Sequence, residues 1–385
     1  VRMFRAIAPL LIVSSTAFPQ VDFSGSYENV LTVQYVEDFS ILDLNNLVLS
    51  VDGNLGGSSF LHADAEASLP FGSVQANLLD FVPDSLADMI PDSLRYLYDY
   101  KLEPSFRISN AYMSISWKRL VARLGKQPMA WGTGYIWNPT EIIAPKLAYD
   151  PSYRRDGENA LKLAASWGSG GGAEVIGVLR GVTGRPDSAM VIGRLKENIF
   201  GFDLAAIGAW FWDTTTTPDT TRRRLLLGGQ FAGEIGNIGL WTEGGYNLYE
   251  EDPLSYAEFV VGLDHTFTFR THVMAEYLYY GRGFDSADDY TFTGWLERAS
   301  GLRKAMGQHL VCLGADQTII SFHNVGISAI FNPVDGSGIV IPRLSLNLAD
   351  NLDLSAFGLI SFGDEDSEFG AAPVKGGILR LTGYF

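Results

Sequence analysis

The sequence predicts an all-β chain closed into a transmembrane, up-and-down antiparallel β-barrel of about eighteen strands, with sixteen as the alternative count. Three observations predict it. Apolar and polar residues alternate with period two over long runs, and the connections between runs are short and long in turn. No stretch reaches the ~18 consecutive apolar residues that a membrane helix needs.

The alternation is clearest in "LHADAEASL", where Leu61, Ala63, Ala65, Ala67 and Leu69 take turns with His62, Asp64, Glu66 and Ser68. That is a strand with one apolar and one polar face. The run "YAEFVVGLDHTF" sets Ala257, Phe259, Val261, Leu263 and Phe267 against Tyr256, Glu258, Asp264 and Thr266. In "NLDLSAFGLISF", Leu352, Leu354, Ala356, Ile360 and Phe362 oppose Asn351, Asp353, Ser355 and Ser361. The phase slips near Asn110 in "SFRISNAYMSISW", which predicts a β-bulge there.

Read this way, strands span roughly 22–36, 42–54, 57–69, 105–117, 119–127, 158–168, 172–181, 187–195, 201–213, 222–235, 238–249, 255–267, 269–281, 307–320, 322–333, 337–349, 351–363 and 375–385. Every second connection is minimal: "DGNLGG", "WKRL", "GSGGG", "KENIFG", "GEIGNIG", "FTFRT", "ISFHN" and "LADN". The others are longer and more polar, among them 70–104, 128–157, "DTTTTPDTT", "YEEDPLS", 282–306 and "GDEDSEFGAAP". Outer-membrane barrels alternate loop length in this manner, with short periplasmic turns and long outer loops, and a soluble sandwich has no reason to. Closure also removes the sheet edge and pairs every backbone group, which lipid demands. The apolar set is then expected to face lipid and the polar set a lumen.

Composition agrees. Glycine is frequent (42 of 385 residues) and aromatics make up 12%, as turns and strands require. The formal charge of −16 advertises no basic face for phosphates, so nucleic acid is not an expected partner. The first residues read as an export address: "VRMFR" is basic, "AIAPLLIV" is apolar, and Ser15 and Ala17 are small. The expected division is therefore a signal peptide over 1–17, cleaved after Ala17, and a barrel over 18–385. The single Cys312 makes no internal disulfide and sits among apolar neighbours.

Catalytic chemistry finds little support. The five histidines show no metal-ligand spacing, "GSGGG" lacks the Lys and Ser or Thr of a phosphate loop, and no G-x-S-x-G elbow occurs. No catalytic residue, metal or cofactor is expected. Charged residues assigned to the lumen include Arg119, Arg123, Lys162, Arg222, Arg224, Arg270, Arg343 and Arg380, with Asp64, Glu66, Glu234, Glu258, Asp264, Glu276 and Asp353. Such a mixed wall suits a water-filled passage for polar solutes.

Eighteen strands ~4.8 Å apart and tilted near 40° close a ring roughly 35 Å across, so something must narrow it. Segment 128–157 carries Trp131, Tyr135, Trp137, Ile142 and Ile143, poor residues for a loop in water. Folded inward it packs on the wall, with Gly132 and Gly134 permitting close approach and Pro139 and Pro145 stiffening the path. Arg154, Arg155 and Asp156 are then expected at the edge of a constriction that runs from Trp131 to Asp156.

"RLGKQPMAWGTGYIWNPTEIIAP" resembles the G-[RK]-Q-x-x-x-W-G-x-G-x-x-x-N-P segment of porin-like bacterial outer-membrane β-barrels, a group related in style to phosphate-selective porins and to uncharacterised barrel families. "FNPVDGSGIVIPRLSLNLADNLDLSAFGLISFG" is similar to the same group. The closing "GGILRLTGYF", with Leu379, Leu381 and Phe385 on the lipid face, looks like the assembly signal of outer-membrane proteins. The resemblance implies an outer-membrane porin passing small hydrophilic solutes, with lipid, lipopolysaccharide and the barrel-assembly machinery as partners and a homotrimer among the allowed assemblies. Phosphate preference is not carried over, because the acidic balance argues against an anion channel. A rim enzyme and an export-associated barrel are the alternative functions.

Overall fold

The computed structural model describes residues 20–35, 39–141, 143, 156–180, 188–214, 221–250, 255–320, 322–371 and 375–385. The expected signal segment lies outside these residues.

The wall begins with β1 (Gln20–Tyr35), β2 (Phe39–Gly56) and β3 (Ser59–Gly72). A small separate hairpin follows, β4 (Gln75–Asn77) with β5 (Asp99–Lys101). The wall resumes with β6 (Ser105–Trp117), β7 (Leu120–Gln127), β8 (Glu158–Trp167), β9 (Gly171–Arg180), β10 (Ser188–Ile199) and β11 (Phe202–Thr214). Next come β12 (Thr221–Ile235), β13 (Ile238–Tyr249), β14 (Tyr256–Thr266) and β15 (Thr271–Tyr280). It ends with β16 (His309–Ile320), β17 (His323–Asn332), β18 (Ser337–Ala349), β19 (Leu352–Phe362) and β20 (Lys375–Tyr384). Each wall strand pairs antiparallel with the next, and β20 returns to β1, so the eighteen strands form a closed ring.

All eighteen expected segments find their strand, and 238–249 and 337–349 coincide with β13 and β18. The phase slip near Asn110 is a bulge: Asp64 pairs with Asn110 and Ala65 with Ile108, leaving Ser109 extra. At the seam, the Gly25 N–H donates to the Phe385 carbonyl at 2.8 Å and the Phe385 N–H to the Gly25 carbonyl at 3.0 Å. A β-carbon at Gly25 would lie 2.6 Å from the Phe385 ring, so only glycine lets that ring lie over the seam.

The outer face is apolar around most of the ring, Asn29, Asp43 and Asn45 of β1 and β2 excepted, and on β14 the alternation assigns it correctly. Val261 on β14 is 47% exposed whereas Glu258 is 2% exposed. The inner face departs from the expected polar lining. From β9 to β16 it carries Ile176, Ile192, Ile207, Phe211, Leu226, Val260 and Leu278, all buried. At these positions the strands are apolar on both faces because loop residues such as Met129, Trp137 and Ile143 pack on their inner side. Two expected lumen cations are also displaced. Arg119 occupies the two-residue turn after β6, and Arg270 sits at φ +69° in the turn before β15. Both are exposed at the short-turn rim, since a tight turn projects its side chains away from the wall.

At the opposite end two loops meet. The loop after β3 contains helices α1 (Asp84–Ala87) and α2 (Asp92–Arg95), and the loop after β15 contains α3 (Phe292–Ala299). Val82 from the first buries against Trp295 and Met306 from the second, with Leu86, Phe284 and Tyr290 packed around them.

Candidate functional site: the inward loop and the wall that holds it

The segment between β7 and β8 folds into the ring. Gly132 has φ +119°, and a β-carbon there would meet the Asn138 amide oxygen at 2.4 Å. One at Gly134 would meet the Trp137 carbonyl at 1.9 Å. The two glycines thus permit a tight turn over 132–138 that folds Asn138 into its centre. The Trp131 indole N–H closes the turn on the Thr140 carbonyl at 2.9 Å.

Two wall carboxylates then seize the turn. Glu276 of β15 accepts the backbone N–H groups of Tyr135 at 2.6 Å, Ile136 at 2.9 Å and Trp137 at 2.9 Å, and the Trp241 indole N–H at 2.8 Å. Three successive amides converging on one anion form a nest, here filled by a side chain of the same protein. Glu243 of β13 accepts the Thr133 N–H at 2.7 Å, the Thr140 N–H at 2.8 Å and the Thr140 hydroxyl at 2.7 Å. The Thr140 hydroxyl also accepts from the Gln230 amide at 2.9 Å. Gly228 gives the loop room, because a β-carbon there would lie 2.8 Å from the Thr140 methyl.

Packing completes the seat. Ile136 and Trp137 join a buried cluster with Trp241, Val260, Met274 and Leu278. Met129 and Ile143 join a second with Ile176, Ile192, Ile207 and Phe211. Fully burying such side chains contributes about 1.5–3 kcal/mol each.

Of the expected constriction aromatics, Tyr135 is the most open. It is 47% exposed, 5.2 Å from the Trp241 ring and 5.8 Å from the His272 ring, between ring centres. Partial burial, and then the carboxylates of Asp264, Asp316 and Glu276, push its phenol up from the ordinary value. Trp131 is half-buried, and Trp137 is 7% exposed and anchors rather than lines. Asp156 is exposed and meets Arg107 at 3.3 Å, while Arg107 also reaches Glu66 at 2.7 Å. Arg154 and Arg155 lie outside the described residues.

Glu258 and Glu276 point inward as expected but do not line a passage. Glu276 is consumed by the loop amides, and Glu258 is buried beneath the Lys304 ammonium, which descends from the loop after β15. Arg343 forms a two-point ion pair with Asp316, its Nε 2.8 Å from the carboxylate. The Arg123 guanidinium stacks on the Tyr112 ring, 4.6 Å from its centre. Lys162 meets Glu174 at 2.5 Å and Arg194 meets it at 3.4 Å. Strands β7 and β16 lie nine places apart in the ring, so Arg123 and Lys162 stand across from Asp316. Glu243, Trp241, Thr140 and Lys304 were not singled out from sequence. The signal for Glu243 was a glutamate on an inner face whose neighbours at alternate positions are Trp241 and Gly245.

No family model and no curated protein matches the chain. Solved structures do match across nearly its whole length. OccAB1 of Acinetobacter baumannii has a TM-score of 0.62 at 8% identity, covering 96% of this chain and 97% of that one. The outer membrane protein OprD of Pseudomonas aeruginosa has a TM-score of 0.56 at 10% identity, covering 95% and 94%. OccK2 (OpdF) of Pseudomonas aeruginosa, solved in complex with glucuronate, has a TM-score of 0.57 at 10% identity, covering 96% and 97%. The shared fold is the closed eighteen-stranded barrel.

Proposed function

We propose that the chain is an outer-membrane channel through which small hydrophilic solutes diffuse passively. One observation carries this reading: a closed ring with an apolar outer face contains a loop pinned inside it by Glu243 and Glu276. A structural plug has no need to leave a tyrosine standing open, whereas a passage narrowed by a loop does. The neighbours' fold supports the outer membrane as its place, and the OprD structure carries that location in its name.

The acidic balance of the chain does not describe the passage. Glu243, Glu258 and Glu276 are withdrawn beneath loops, while on one side of the ring Lys162 and Arg194 share the carboxylate of Glu174 and Arg123 stacks on Tyr112. Asp264, with His272 at 2.9 Å, and Asp316 with Arg343 stand on the other. Separated charge across a narrow section orients dipolar solutes. A carboxylated sugar such as glucuronate, the ligand of OccK2, is therefore the first solute to try.

Purified protein in planar bilayers should give discrete conductance steps, and proteoliposomes should swell in small sugars and fail to swell in large ones. A barrel that inserts and conducts nothing overturns the proposal.

A further inference from the structure

The inner wall carries a group of buried oxygen atoms that no hydrogen bond satisfies. They sit where the chain, having folded into the ring, returns to the wall ahead of β8. There the Gly157 N–H donates to the Ser109 carbonyl at 3.0 Å, and Asp156 meets Arg107 at 3.3 Å. The bulge gives β6 an extra residue at this level, so Ser109 and Asn110 stand together beside Asp64 and Glu66 of β3. Gln127 of β7 lies one step beyond the pair of Ala111 with Lys126, level with Asn110. Glu66, Ser109, Asn110 and Gln127 are each less than a tenth exposed, so none of them faces the open outer side.

Their amide hydrogens are spent within the protein. Asn110 donates to Asp64 at 2.8 Å, Gln127 donates to the Ala160 carbonyl at 2.9 Å, and one Glu66 oxygen receives Arg107 at 2.7 Å. What remains is Glu66 Oε2, Asn110 Oδ1, Gln127 Oε1 and Ser109 Oγ, all sealed and all without a hydrogen-bond partner. The Asn110 oxygen is aimed at the returning chain. A β-carbon at Gly157 would lie 2.5 Å from it and 2.9 Å from the Gln127 backbone, so only glycine lets the chain close over this spot.

Three acceptors share one hydroxyl, whose single hydrogen serves one of them. A carboxylate oxygen, two amide carbonyls and a hydroxyl are instead the donor set of a hard cation. Calcium accepts such oxygens in irregular geometry, whereas magnesium demands a near-ideal octahedron and keeps its waters. The charges nearby agree: Asp64 and Asp156 join Glu66, against Arg107 and His62.

We propose that Glu66, Ser109, Asn110 and Gln127 hold a calcium ion, which fastens the returning end of the inward loop to β3, β6 and β7. Glu243 and Glu276 hold the first half of that loop by hydrogen bonds alone, so the two halves are secured by different chemistry. Histidine spacing gives no sign of the site, because every ligand is an oxygen and the four come from three strands. The inference holds whatever the barrel conducts.

The test titrates calcium into the purified, chelator-treated barrel in mild detergent, following the heat of binding and the unfolding temperature. The parent should bind one ion at this site, and its unfolding temperature should rise. Glu66→Gln combined with Gln127→Leu should lose both effects. Gln127→Glu adds a carboxylate on the same stem and should bind calcium about tenfold more tightly, since the number of charged ligands tunes such sites. Heat-modifiable migration reports whether each variant has folded, and Gln127→Glu decides alone if the double variant does not fold. Magnesium at the same concentration should not reproduce the rise. A parent unmoved by calcium, an effect that survives the double substitution, an equal response to magnesium, or unchanged affinity in Gln127→Glu overturns the proposal and leaves these oxygens to water.

Discussion

Glu276 holds Trp137 from 139 positions away in the sequence: its carboxylate accepts the Trp137 backbone N–H at 2.9 Å inside the ring. Around this contact the inner loop ceases to be a flexible connection and becomes part of the wall.

Replacing Glu276 by Gln should therefore release the loop. A glutamine places an amide where a carboxylate received four donors, leaving at least one buried N–H facing another. A buried donor without a partner costs about 1–3 kcal/mol. The variant should unfold at lower temperature and gain cleavage within 129–141 by added protease, with the barrel core still resistant. An uncut loop contradicts the anchoring role.

Gly134→Ala tests the turn rather than its anchor. The added methyl would fall 1.9 Å from the Trp137 carbonyl, a backbone atom that cannot move aside cheaply. The same loop cleavage should appear, whereas Gly236→Ala, in an open short turn at φ +66°, should leave the loop protected. Equal cleavage in both would place the sensitivity elsewhere.

Facing can be tested on one strand. Val261→Arg puts a charge on the outer face and should cost about 2–4 kcal/mol near the bilayer midplane. Glu258→Arg should also be damaging, for a different reason: it sets a second cation against Lys304 in a buried site, and breaking such a pair costs about 3–5 kcal/mol. Glu258→Arg with Lys304→Glu should recover folded yield, and no second-site change in Lys304 should rescue Val261→Arg. Folded yield by heat-modifiable migration is the measurement.

At the seam, Gly25→Val should displace the Phe385 ring and reduce the yield of folded barrel in membranes, as should Phe385→Asp, because both disturb the same closing pair. Combining them should add little, since neighbours that share one contact are not independent. Additive losses would show that the ring and the glycine act separately.

What was legible in the sequence was local. Alternation and tight turns are written into neighbouring residues, so β13 and β18 could be bounded before any coordinates, and the Ser109 bulge showed as a slip of phase. The inward course of 128–157 was legible from composition, because Trp131, Tyr135 and Trp137 do not suit water. The seat was not. Period two places Glu276 and Glu258 on an inner face and so predicts an open lumen around them, because it tells the face of a strand but not what covers that face. The apolar stretches of the inner wall from β9 to β16 escape for the same reason: a strand apolar on both sides carries a weaker alternation, and its cover comes from residues tens to more than a hundred positions away.

The most direct measurement is single-channel conductance of the parent beside a variant in which Trp131, Tyr135 and Trp137 are all alanine. The strands supply the barrel's backbone pairing, so the variant should still insert. If the pinned loop narrows the passage, its conductance steps should be larger than the parent's, and sugars that the parent excludes should enter proteoliposomes. Equal conductance and an unchanged size limit in a folded variant would contradict the account and place the narrowing outside this loop.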